Sequence, residues 1–287
     1  PPCAVIHMFP PRHAMTPTPA SASPSPSTSP DNDYARRFGG TARLYGAPAL
    51  ARFEAAHVCV VGVGGVGSWA AEALARSAIG TLTLIDLDHV APSNINRQGQ
   101  ALTSTLGMAK IEALKARLRD INPRLVVHLV DAFVEPENVA ELLGGSFDYV
   151  VDAIDSLVAK AALVAWCKQA KVPVIVSGGA GGQIDPTRIR IEDLSRTTED
   201  PVASKLRYTL RRRYGFPREA GKKFGVACVF STEPLRYPEA SCDSGTGGAA
   251  GLNCAGFGSS MCVTAGFGLA AASHVLGALA QPPKLKK

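Results

Sequence analysis

Three charged side chains, well separated in the sequence, have the types that handle a nucleoside triphosphate. Arg97 follows the polar stretch SNIN, Lys110 comes thirteen residues later, and Asp155 ends the stretch DAID. Cationic groups neutralise phosphate oxygens, and a carboxylate holds the magnesium ion that accompanies a triphosphate. These residue types therefore predict a site that clamps a triphosphate and stabilises the charge that develops when pyrophosphate leaves.

A glycine-rich loop precedes these side chains in the stretch VVGVGGVGS, residues 60–68. Glycines allow the backbone to approach a phosphate closely, and the N-terminus of the following helix favours negative charge. About twenty residues after the loop, Asp86 is placed to bond a ribose hydroxyl, which suits NAD and ATP alike. The loop alone therefore predicts a nucleotide without deciding which one. Its four glycines are Gly62, Gly64, Gly65 and Gly67.

Each of the three charged residues also has a purely structural interpretation. Arg97 is compatible with a surface ion pair, Lys110 with a solvated position on a helix, and Asp155 with the cap of a helix N-terminus. All three follow predicted strands, however, and parallel strands end at the same edge of a sheet. Their joint placement favours a triphosphate clamp over an NAD site, which has no use for such a set.

Alternating strand and helix signals from residue 57 to about residue 177 supply the frame for this site. Five short apolar runs predict strands, and runs with helical spacing separate them. The strand runs are HVCVVGV, TLTLIDLD, LVVHLVDAF, FDYVVDAID and VPVIVSG. Repeated strand–helix units predict an α/β, Rossmann-like, mainly parallel sheet with helices on both faces. The pattern changes after Gly178, where we expect an antiparallel C-terminal extension.

Composition divides the chain into a tail, one domain and a short end. Residues 1–33 are rich in Pro, Ser, Thr and Ala, which predicts a disordered tail. Residues 34–280 are predicted to form one domain with a mobile loop at about 233–254, followed by a basic tail at 281–287. The uncharged run 255–280 is long enough to span a bilayer, yet its many small residues favour a helix buried in a soluble fold.

The net charge of +6 is concentrated in one segment. Residues 205–223 contain eight Lys or Arg residues and one acid, Glu219. Such a block is typical of a protein that binds a polyanion, although a solvated helix face has the same composition. A helix over residues 203–214 is predicted to carry the side chains that contact nucleic acid. These are Lys205, Arg207, Arg211, Arg212 and Arg213.

Seven cysteines are irregularly spaced and include no CxxC pair. This argues against a disulfide framework and against a zinc site held by cysteines. A reducing cytoplasm is the expected setting. Cys228, Cys242 and Cys254 lie near the predicted mobile loop. A buried structural role is the commoner one for cysteine, and Cys228 and Cys254 are the stronger candidates for a reactive thiol.

The motifs GxGGxGS, IDxD, NxNRQ, GxxK and DxxD occur in an order that resembles the adenylating enzymes related to the ubiquitin-activating enzymes. That superfamily includes the bacterial activators of ThiS- and MoaD-type sulfur carriers. Longer stretches are similar to the tRNA threonylcarbamoyladenosine dehydratase family within it, and the resemblance covers residues 34–280. These stretches include RRFGGTARLYG, SGGAGGQIDPT and CVFSTE. The sulfur-carrier activators usually carry two zinc-binding CxxC pairs, which this sequence lacks.

The resemblance implies a role for each site residue. The glycine loop and Asp86 would hold adenosine and ribose, and Asp155 would hold magnesium. Arg43 resembles the arginine that such dimers insert into the neighbouring subunit's site, although the local spacing differs, and Arg37 is the alternative. Catalytic roles are implied for Arg97, Lys110, Asp155 and Arg43. The residues implied to surround the phosphates are Asp88, Asn94, Arg97, Gln98 and Lys110.

The implied reaction is the ATP-dependent activation of a carboxylate. AMP would pass from ATP to the threonyl carboxylate of threonylcarbamoyladenosine in tRNA. A nitrogen of the same side chain would then close a cyclic hydantoin and release AMP, with orientation replacing a second substrate. ATP and Mg²⁺ are the implied cofactors, with a monovalent cation as a further candidate and no zinc. The implied partners are the tRNA and a second copy of the chain in a homodimer, with a cysteine desulfurase or sulfur acceptor as a further candidate.

Two rival functions fit parts of the sequence. An adenylyltransferase that activates the C-terminus of a ubiquitin-like sulfur carrier would use the same ATP site, but the basic block at 205–223 favours RNA. A non-catalytic nucleotide-binding module or an NAD enzyme would leave Arg97, Lys110 and Asp155 without a purpose. Relatives that handle ubiquitin-like proteins form a thioester on a loop cysteine, whereas ring closure needs no covalent intermediate with the enzyme.

Overall fold

The computed structural model describes residues 30–237 and 257–282. Outside the described residues lie 1–29, 238–256 and 283–287. They include most of the predicted tail, most of the predicted mobile loop and most of the predicted basic tail. Contacts divide the chain into two units, Pro1–Arg37 and Phe38–Lys287.

Helix α1 (Pro30–Tyr45) begins the described part of the chain. It includes residues 30–33, which the sequence analysis placed at the end of the predicted tail. Proline is well suited to the first turn of a helix because its missing N–H has no partner there anyway. The side chain of Arg37 pairs with Asp33 one turn earlier, at 2.7 Å.

Seven strands and seven further α-helices lie within the described residues of the second unit. The strands are β1 (His57–Val61), β2 (Thr81–Ile85), β3 (Val126–Val130), β4 (Tyr149–Asp152), β5 (Val174–Ser177), β6 (Ile189–Asp193) and β7 (Ala227–Ser231). The helices are α2 (Ala47–Ala55), α3 (Gly67–Arg76), α4 (Lys110–Ile121), α5 (Val139–Leu142), α6 (Leu157–Ala170), α7 (Pro201–Arg213) and α8 (Met261–Leu279).

The seven strands form one sheet in the order β3-β2-β1-β4-β5-β7-β6. Neighbouring strands run parallel except β6 and β7, which pair antiparallel. This confirms the predicted Rossmann-like, mainly parallel sheet with an antiparallel C-terminal extension. The strand order reverses between β1 and β4, and ligands of such sheets bind outside the carboxyl ends of the strands at that point.

Strand β1 shows how the sheet separates two cores. Val58 and Val60 belong to one hydrophobic cluster, whereas Cys59 and Val61 belong to the other. Successive side chains of a strand point to opposite faces, so each face of the sheet is covered by its own helices. The first cluster includes buried residues of α2, α3, α4 and α8, and the second includes residues of α5, α6 and α7.

Helix α8 accounts for the apolar run near the C-terminus. It is long and apolar enough to cross a membrane by length and composition, and half of that segment is buried inside the fold. At Gly268 a Cβ atom would lie 2.4 Å from the carbonyl oxygen of Val66, just before α3. Small residues therefore allow α8 to pack closely against α3.

Candidate active site

A cavity of about 590 Å³ opens at the carboxyl edge of the sheet. Val61, Ile85 and Ser177, the last residues of β1, β2 and β5, form part of its wall. The cavity therefore lies where the strand order reverses, as expected of a nucleotide-binding site in this type of sheet.

The glycine loop bends tightly between β1 and α3. Gly62 has a φ of +81°, a conformation that glycine adopts without strain. Gly67 starts α3, and a Cβ atom there would lie 1.8 Å from the carbonyl oxygen of Gly62. Gly62, Gly64 and Gly65 line the cavity, whereas Gly67 does not. Gly67 is thus required by the packing of the turn, and the other three glycines present backbone to the cavity.

Asp86 fixes this loop to the end of β2. Its carboxylate accepts hydrogen bonds from Val63 N at 2.7 Å and from Asp88 N at 2.9 Å. Burial raises the pKa of Asp86 above its ordinary value, although these two N–H groups act in the opposite direction. The carboxylate also lines the cavity, so it can accept a hydrogen bond from a ribose hydroxyl while it holds the glycine loop.

Lys110 and Asp88 form an ion pair at the same edge. The Lys110 Nζ atom lies 2.6 Å from Asp88 Oδ2, and the Lys110 residue is only 6% exposed. The Lys110 backbone N–H also donates to Asp88 O at 2.9 Å, which fixes the start of α4. Lys110 is therefore not a solvated helix residue, because its ammonium is held at the cavity wall where it can meet a phosphate.

Arg97 lies across the glycine loop. A Cβ atom at Gly65 would be 3.2 Å from the Arg97 side chain. The Arg97 guanidinium donates to Ser93 O at 2.8 Å and to Asn96 Oδ1 at 2.9 Å, and Trp69 Nε1 donates to Arg97 O at 2.8 Å. The guanidinium forms no ion pair among the described residues. These neutral contacts fix its position without neutralising its charge, which remains available to a phosphate.

Asn94 and Gln98 complete the wall around Arg97. Both are almost fully buried and line the cavity. Asn94 Oδ1 accepts a hydrogen bond from Ala91 N at 3.0 Å, which shapes the loop. Gln100, which the sequence did not single out, donates from Nε2 to Val63 O at 2.7 Å and thereby holds the glycine loop from behind.

Asp155 is exposed and lines the cavity beyond the end of β4. It does not cap α6, because the capping side chain is that of Ser156, whose Oγ accepts from Ala159 N at 3.5 Å. The structure therefore removes the helix-cap interpretation of Asp155. Within the described residues no group of three or more His, Cys, Asp or Glu side chains could hold a metal ion.

A buried ion pair lies behind Asp155 and was not expected from the sequence. Lys160 and Asp152 are both fully buried, with Lys160 Nζ 2.9 Å from Asp152 Oδ1. The same oxygen accepts from Ile154 N at 3.2 Å, and Asp152 Oδ2 has no hydrogen-bond partner. Burial raises the pKa of Asp152, and the Lys160 charge opposes this shift. The pair fixes the turn that carries Asp155 to the cavity.

Asp200 is a second buried carboxylate that the sequence did not assign to the site. Its Oδ1 accepts from Ala203 N at 2.8 Å, which caps α7, and its Oδ2 accepts from Gly179 N at 2.9 Å. Burial raises its pKa. Asp200 therefore ties the loop after β5 to the start of the basic helix. The dipeptide Asp-Pro before an apolar periodic run is a recognisable helix-start signal, but the bond to Gly179 has no signal in the sequence.

The far end of the cavity differs in composition from the nucleotide end. We call it the acyl end and define it by Ser177–Gly181, Val202, Phe257, Ser259 and Thr264. None of these residues carries a charge. Small and apolar groups with a few hydroxyls therefore surround whatever occupies this end.

Two of the proposed catalytic side chains lie outside the cavity wall. Arg43 is exposed, and its guanidinium lies against Gly39 of the same helix. Cys228 is fully buried within β7, and burial strongly raises the pKa of its thiol. A thiol held in this protonated form is a poor nucleophile. Cys242 and Cys254 lie outside the described residues, and Cys262, at the start of α8, is exposed.

Helix α7 (Pro201–Arg213) lies in the segment where the sequence predicts a basic helix, residues 203–214. Its cations face in different directions. Arg207 is half-buried and donates to Thr197 Oγ1, and Arg211 donates to Pro217 O at 3.1 Å. Arg211 also lies over the Phe224 ring, 5.2 Å from its centroid. Lys205, Arg212 and Arg213 are exposed. The outward charge of the helix is thus carried by three of the five predicted residues.

Comparison with known proteins places these features in a family context. A profile of the ThiF family matches residues 34–286. The tRNA threonylcarbamoyladenosine dehydratase of Escherichia coli is 51% identical over 249 residues, which cover 85% of this chain and 93% of that protein.

Solved structures of the Escherichia coli enzyme in complex with ATP and in complex with AMP are similar to this chain. Both have a TM-score of 0.79 and 50% sequence identity. The ATP complex covers 86% of this chain and 95% of the matched chain, and the AMP complex covers 88% and 98%. The Escherichia coli enzyme therefore combines this fold with the binding of ATP and of AMP.

Proposed function

This chain belongs to the ThiF family, and we propose that it is a tRNA threonylcarbamoyladenosine dehydratase that uses ATP to cyclise its substrate. The observation that carries the proposal is a single cavity with two unlike ends. Arg97, Lys110 and Asp155 stand at the nucleotide end, and uncharged residues surround the acyl end. ATP fits the charged end, and the threonylcarbamoyl group that is activated and then cyclised fits the uncharged end.

The first step joins the threonyl carboxylate to AMP. A carboxylate oxygen attacks the α-phosphorus of ATP, a new P–O bond forms, and the bond to pyrophosphate breaks. Negative charge accumulates on the departing phosphates, so cations that are already in place lower the barrier. Lys110 is held by Asp88 and Arg97 by neutral oxygens, which means that neither side chain must reorganise during the reaction.

Magnesium fits this site through Asp155. Mg²⁺ usually takes one or two protein carboxylates and completes its coordination with phosphates and water. Asp155 supplies an exposed carboxylate at the cavity wall that no capping bond occupies. Bound Mg²⁺ would neutralise charge on the phosphates. We assign no residue of this chain to a monovalent cation.

The second step closes the ring. A nitrogen of the threonylcarbamoyl group attacks the activated acyl carbon, the C–N bond forms, and the C–O bond to AMP breaks as the nitrogen loses its proton. Added together, the two steps remove one water from the substrate. The ring that forms is neutral, which suits the uncharged lining of the acyl end. Because the nitrogen and the acyl carbon belong to the same molecule, the pocket need only hold them in the orientation for attack.

The RNA is proposed to lie along α7. Val202, in the first turn of this helix, lines the acyl end, and Lys205, Arg212 and Arg213 follow on its exposed side. A tRNA whose modified nucleotide enters the cavity would bring neighbouring phosphates towards these cations. Lys and Arg that neutralise phosphates release counterions and supply most of the salt-dependent affinity.

A homodimer is proposed to complete the site. Arg43 is exposed outside the cavity of its own chain, so a catalytic contact requires a second copy. Ile95, Leu102 and Met108 in the connection between β2 and α4 are exposed apolar residues, and burial of such residues would stabilise a dimer. Mixed dimers of an Arg43→Ala subunit and a Lys110→Ala subunit should recover part of the activity, because one composite site stays intact. No recovery from verified mixed dimers would remove the contribution of Arg43.

The cytoplasm is the proposed location, because Cys59, Cys167, Cys228 and Cys262 are free thiols among the described residues. A cysteine desulfurase or a sulfur acceptor is a candidate partner, and Cys262 is the exposed thiol within the described part of the chain that such a partner could reach.

The deciding experiment is mass spectrometry of nucleosides from tRNA that has been treated with this protein and ATP. We expect conversion of threonylcarbamoyladenosine to a product lighter by one water, with stoichiometric AMP release. Pyrophosphate exchange that depends on a ubiquitin-like sulfur carrier, without any change in the tRNA, would favour the rival adenylyltransferase. If neither reaction occurs in the presence of ATP and Mg²⁺, both functional assignments are overturned.

A further inference from the structure

Two aromatic rings stand together at the opening of the acyl end. The Tyr237 and Phe257 ring centroids are 5.2 Å apart, with an angle of 54° between the ring planes. Phe257 is partly buried and lines the cavity. Tyr237 is 75% exposed, so its ring contributes little to the core. An exposed aromatic ring at the mouth of a cavity is available to a ligand.

Hydrogen bonds fix both rings to the loop that lines the acyl end. Gly182 N donates to Gly258 O at 2.8 Å, and Arg236 N donates to Gly182 O at 2.8 Å. Gly182 has a φ of +73°, and a Cβ atom there would lie 3.0 Å from Phe257 Cδ1. Three separate segments of the chain therefore meet at Gly182, and the rings are held in place beside the cavity.

Glu233 and Arg236 strengthen this arrangement and add a positive charge. Glu233 is almost fully buried, and its Oε2 accepts from Ile184 N at 3.0 Å and from Asp185 N at 2.8 Å. Arg236 Nε lies 3.4 Å from Glu233 Oε1, while most of the Arg236 side chain is exposed. An exposed guanidinium beside two aromatic rings is the combination with which proteins hold unpaired bases of RNA.

We propose that Tyr237 and Phe257 form a stacking platform for the purine base of the modified nucleotide. The proposal rests on the proposed function and adds a subsite to it. Only a few bonds separate the threonyl carboxylate from the adenine ring, so a base whose carboxylate reaches the acyl end must lie at its opening. Tyr237 and Phe257 are the aromatic residues that the described part of the chain places there.

The stacking platform would also make the enzyme specific for a substrate that carries a purine base. The nucleotide end recognises ATP through charge, and the acyl end surrounds the threonylcarbamoyl group with uncharged residues. Neither end therefore distinguishes the base that carries this group. Stacking on Tyr237 and Phe257 would favour a carboxylate attached to a purine over an otherwise similar free acid. The Arg236 guanidinium would face the base or its phosphate.

The test compares substrates with and without a base, using the full-length protein. Tyr237→Ala should raise the KM for tRNA and for the free nucleoside threonylcarbamoyladenosine by roughly tenfold to a hundredfold, as expected for one lost stacking contact. The ATP affinity measured by calorimetry should be unchanged. Tyr237→Phe should restore the wild-type KM because it keeps the ring. Phe257→Leu, which keeps apolar volume without a ring face, should act like Tyr237→Ala.

N-carbamoylthreonine, which has the carboxylate but no base, provides the matched probe. With N-carbamoylthreonine as the acid, wild type and Tyr237→Ala should catalyse ATP–pyrophosphate exchange at the same rate. Val126→Ala, an exposed residue at the opposite end of a strand, serves as a neutral control. An unchanged nucleoside KM in Tyr237→Ala and Phe257→Leu, or an equal loss with N-carbamoylthreonine, would overturn the platform alone. Wild-type protein that leaves the nucleoside unchanged would overturn the proposed function and the platform with it.

Discussion

The two ends of the cavity are built by different means. At the nucleotide end, charged side chains such as Lys110 and Arg97 form the wall themselves and are fixed by direct contacts. At the acyl end the residues that line the cavity are uncharged. A charged side chain contacts these lining residues without lining the cavity itself. Asp200 reaches the wall only through Gly179 N.

This difference follows from the proposed chemistry. Charge develops where pyrophosphate departs, and preorganised cations stabilise it there. The acyl end must instead hold a neutral group in the geometry for ring closure, so shape and position matter more than charge. A buried carboxylate such as Asp200 can fix a loop without presenting its charge to the substrate. Loss of a wall charge should therefore cost more activity than loss of a supporting charge.

The largest effect is expected for Lys110→Ala at the nucleotide end. Removal of one preorganised cation should lower the rate of AMP formation by roughly 10²–10³-fold, and ATP should bind more weakly. Lys115→Ala on the same helix α4 is the matched control, because Lys115 is not part of the cavity wall. Single-turnover assays at saturating tRNA measure the rate. A Lys110→Ala rate close to wild type would mean that the Asp88 pair is only structural.

Most of the residues proposed for the nucleotide end could be chosen from the sequence. Its residues follow directly after strands, and strand ends can be located from short apolar runs. Gly62, Asp86, Arg97 and Asp155 follow such strand ends, Lys110 lies near the start of the next helix, and all five line the cavity.

The acyl end and its supports could not be predicted in the same way. Gly179, Val202 and Phe257 come from three distant segments, and only the folded chain brings them together. Lys160 lies in the apolar run SLVAKAALVAW, where a lysine reads as an exposed helix residue, although the structure buries it completely against Asp152. Pairing across space has no local sequence signal, so the supporting layer became visible only in the structure.

Asp200→Ala should give the next largest effect and should act at the acyl end alone. The variant loses the cap of α7 and leaves Gly179 N without its partner. We expect about 1–2 kcal/mol of lost stability and a rate of ring formation that is roughly tenfold lower, because the loop after β5 shifts. Thermal unfolding and single-turnover kinetics measure the two quantities.

The affinity of the Asp200→Ala variant for ATP should equal that of wild type, since Asp200 is absent from the nucleotide end. Asp193→Ala is a useful comparison, because Asp193 caps a short 3₁₀ helix at the end of β6 and is not part of the cavity wall. It should reduce stability without a specific loss of rate. Weaker ATP binding in Asp200→Ala would contradict the separation of the two ends.

A smaller effect is expected along α7, where the structure separates inward from outward cations. Arg212→Ala and Arg213→Ala should each weaken tRNA binding several-fold and flatten the plot of log K against log salt by about one unit per lost phosphate contact. Arg211→Ala should instead lower the melting temperature with an unchanged slope, because Arg211 contacts Pro217 and the Phe224 ring. Titrations at several salt concentrations compare the three variants. Equal slopes for all three and for wild type would place the RNA elsewhere.

The smallest effect is expected for Cys228→Ala, even though this thiol lies close to the acyl end. Cys228 pairs with Val176 in the neighbouring strand β5, one residue before the cavity wall at Ser177. Its side chain nevertheless belongs to the core on one face of the sheet and has no exposure. Burial raises its pKa, so almost no thiolate exists at neutral pH.

The Cys228→Ala variant should therefore convert substrate at the wild-type rate, with a loss of stability of about 1 kcal/mol for the removed sulfur atom. Alkylation of the native protein followed by mass spectrometry should label Cys262, which is exposed, and leave Cys228 unmodified. A stable but inactive Cys228→Ala protein, or an acyl adduct on Cys228 trapped during turnover, would reinstate covalent catalysis. In that case the acyl end would have to open far enough to expose Cys228 in β7. The substrate would then pass the uncharged wall to reach the thiol, and the ring would not close at that wall.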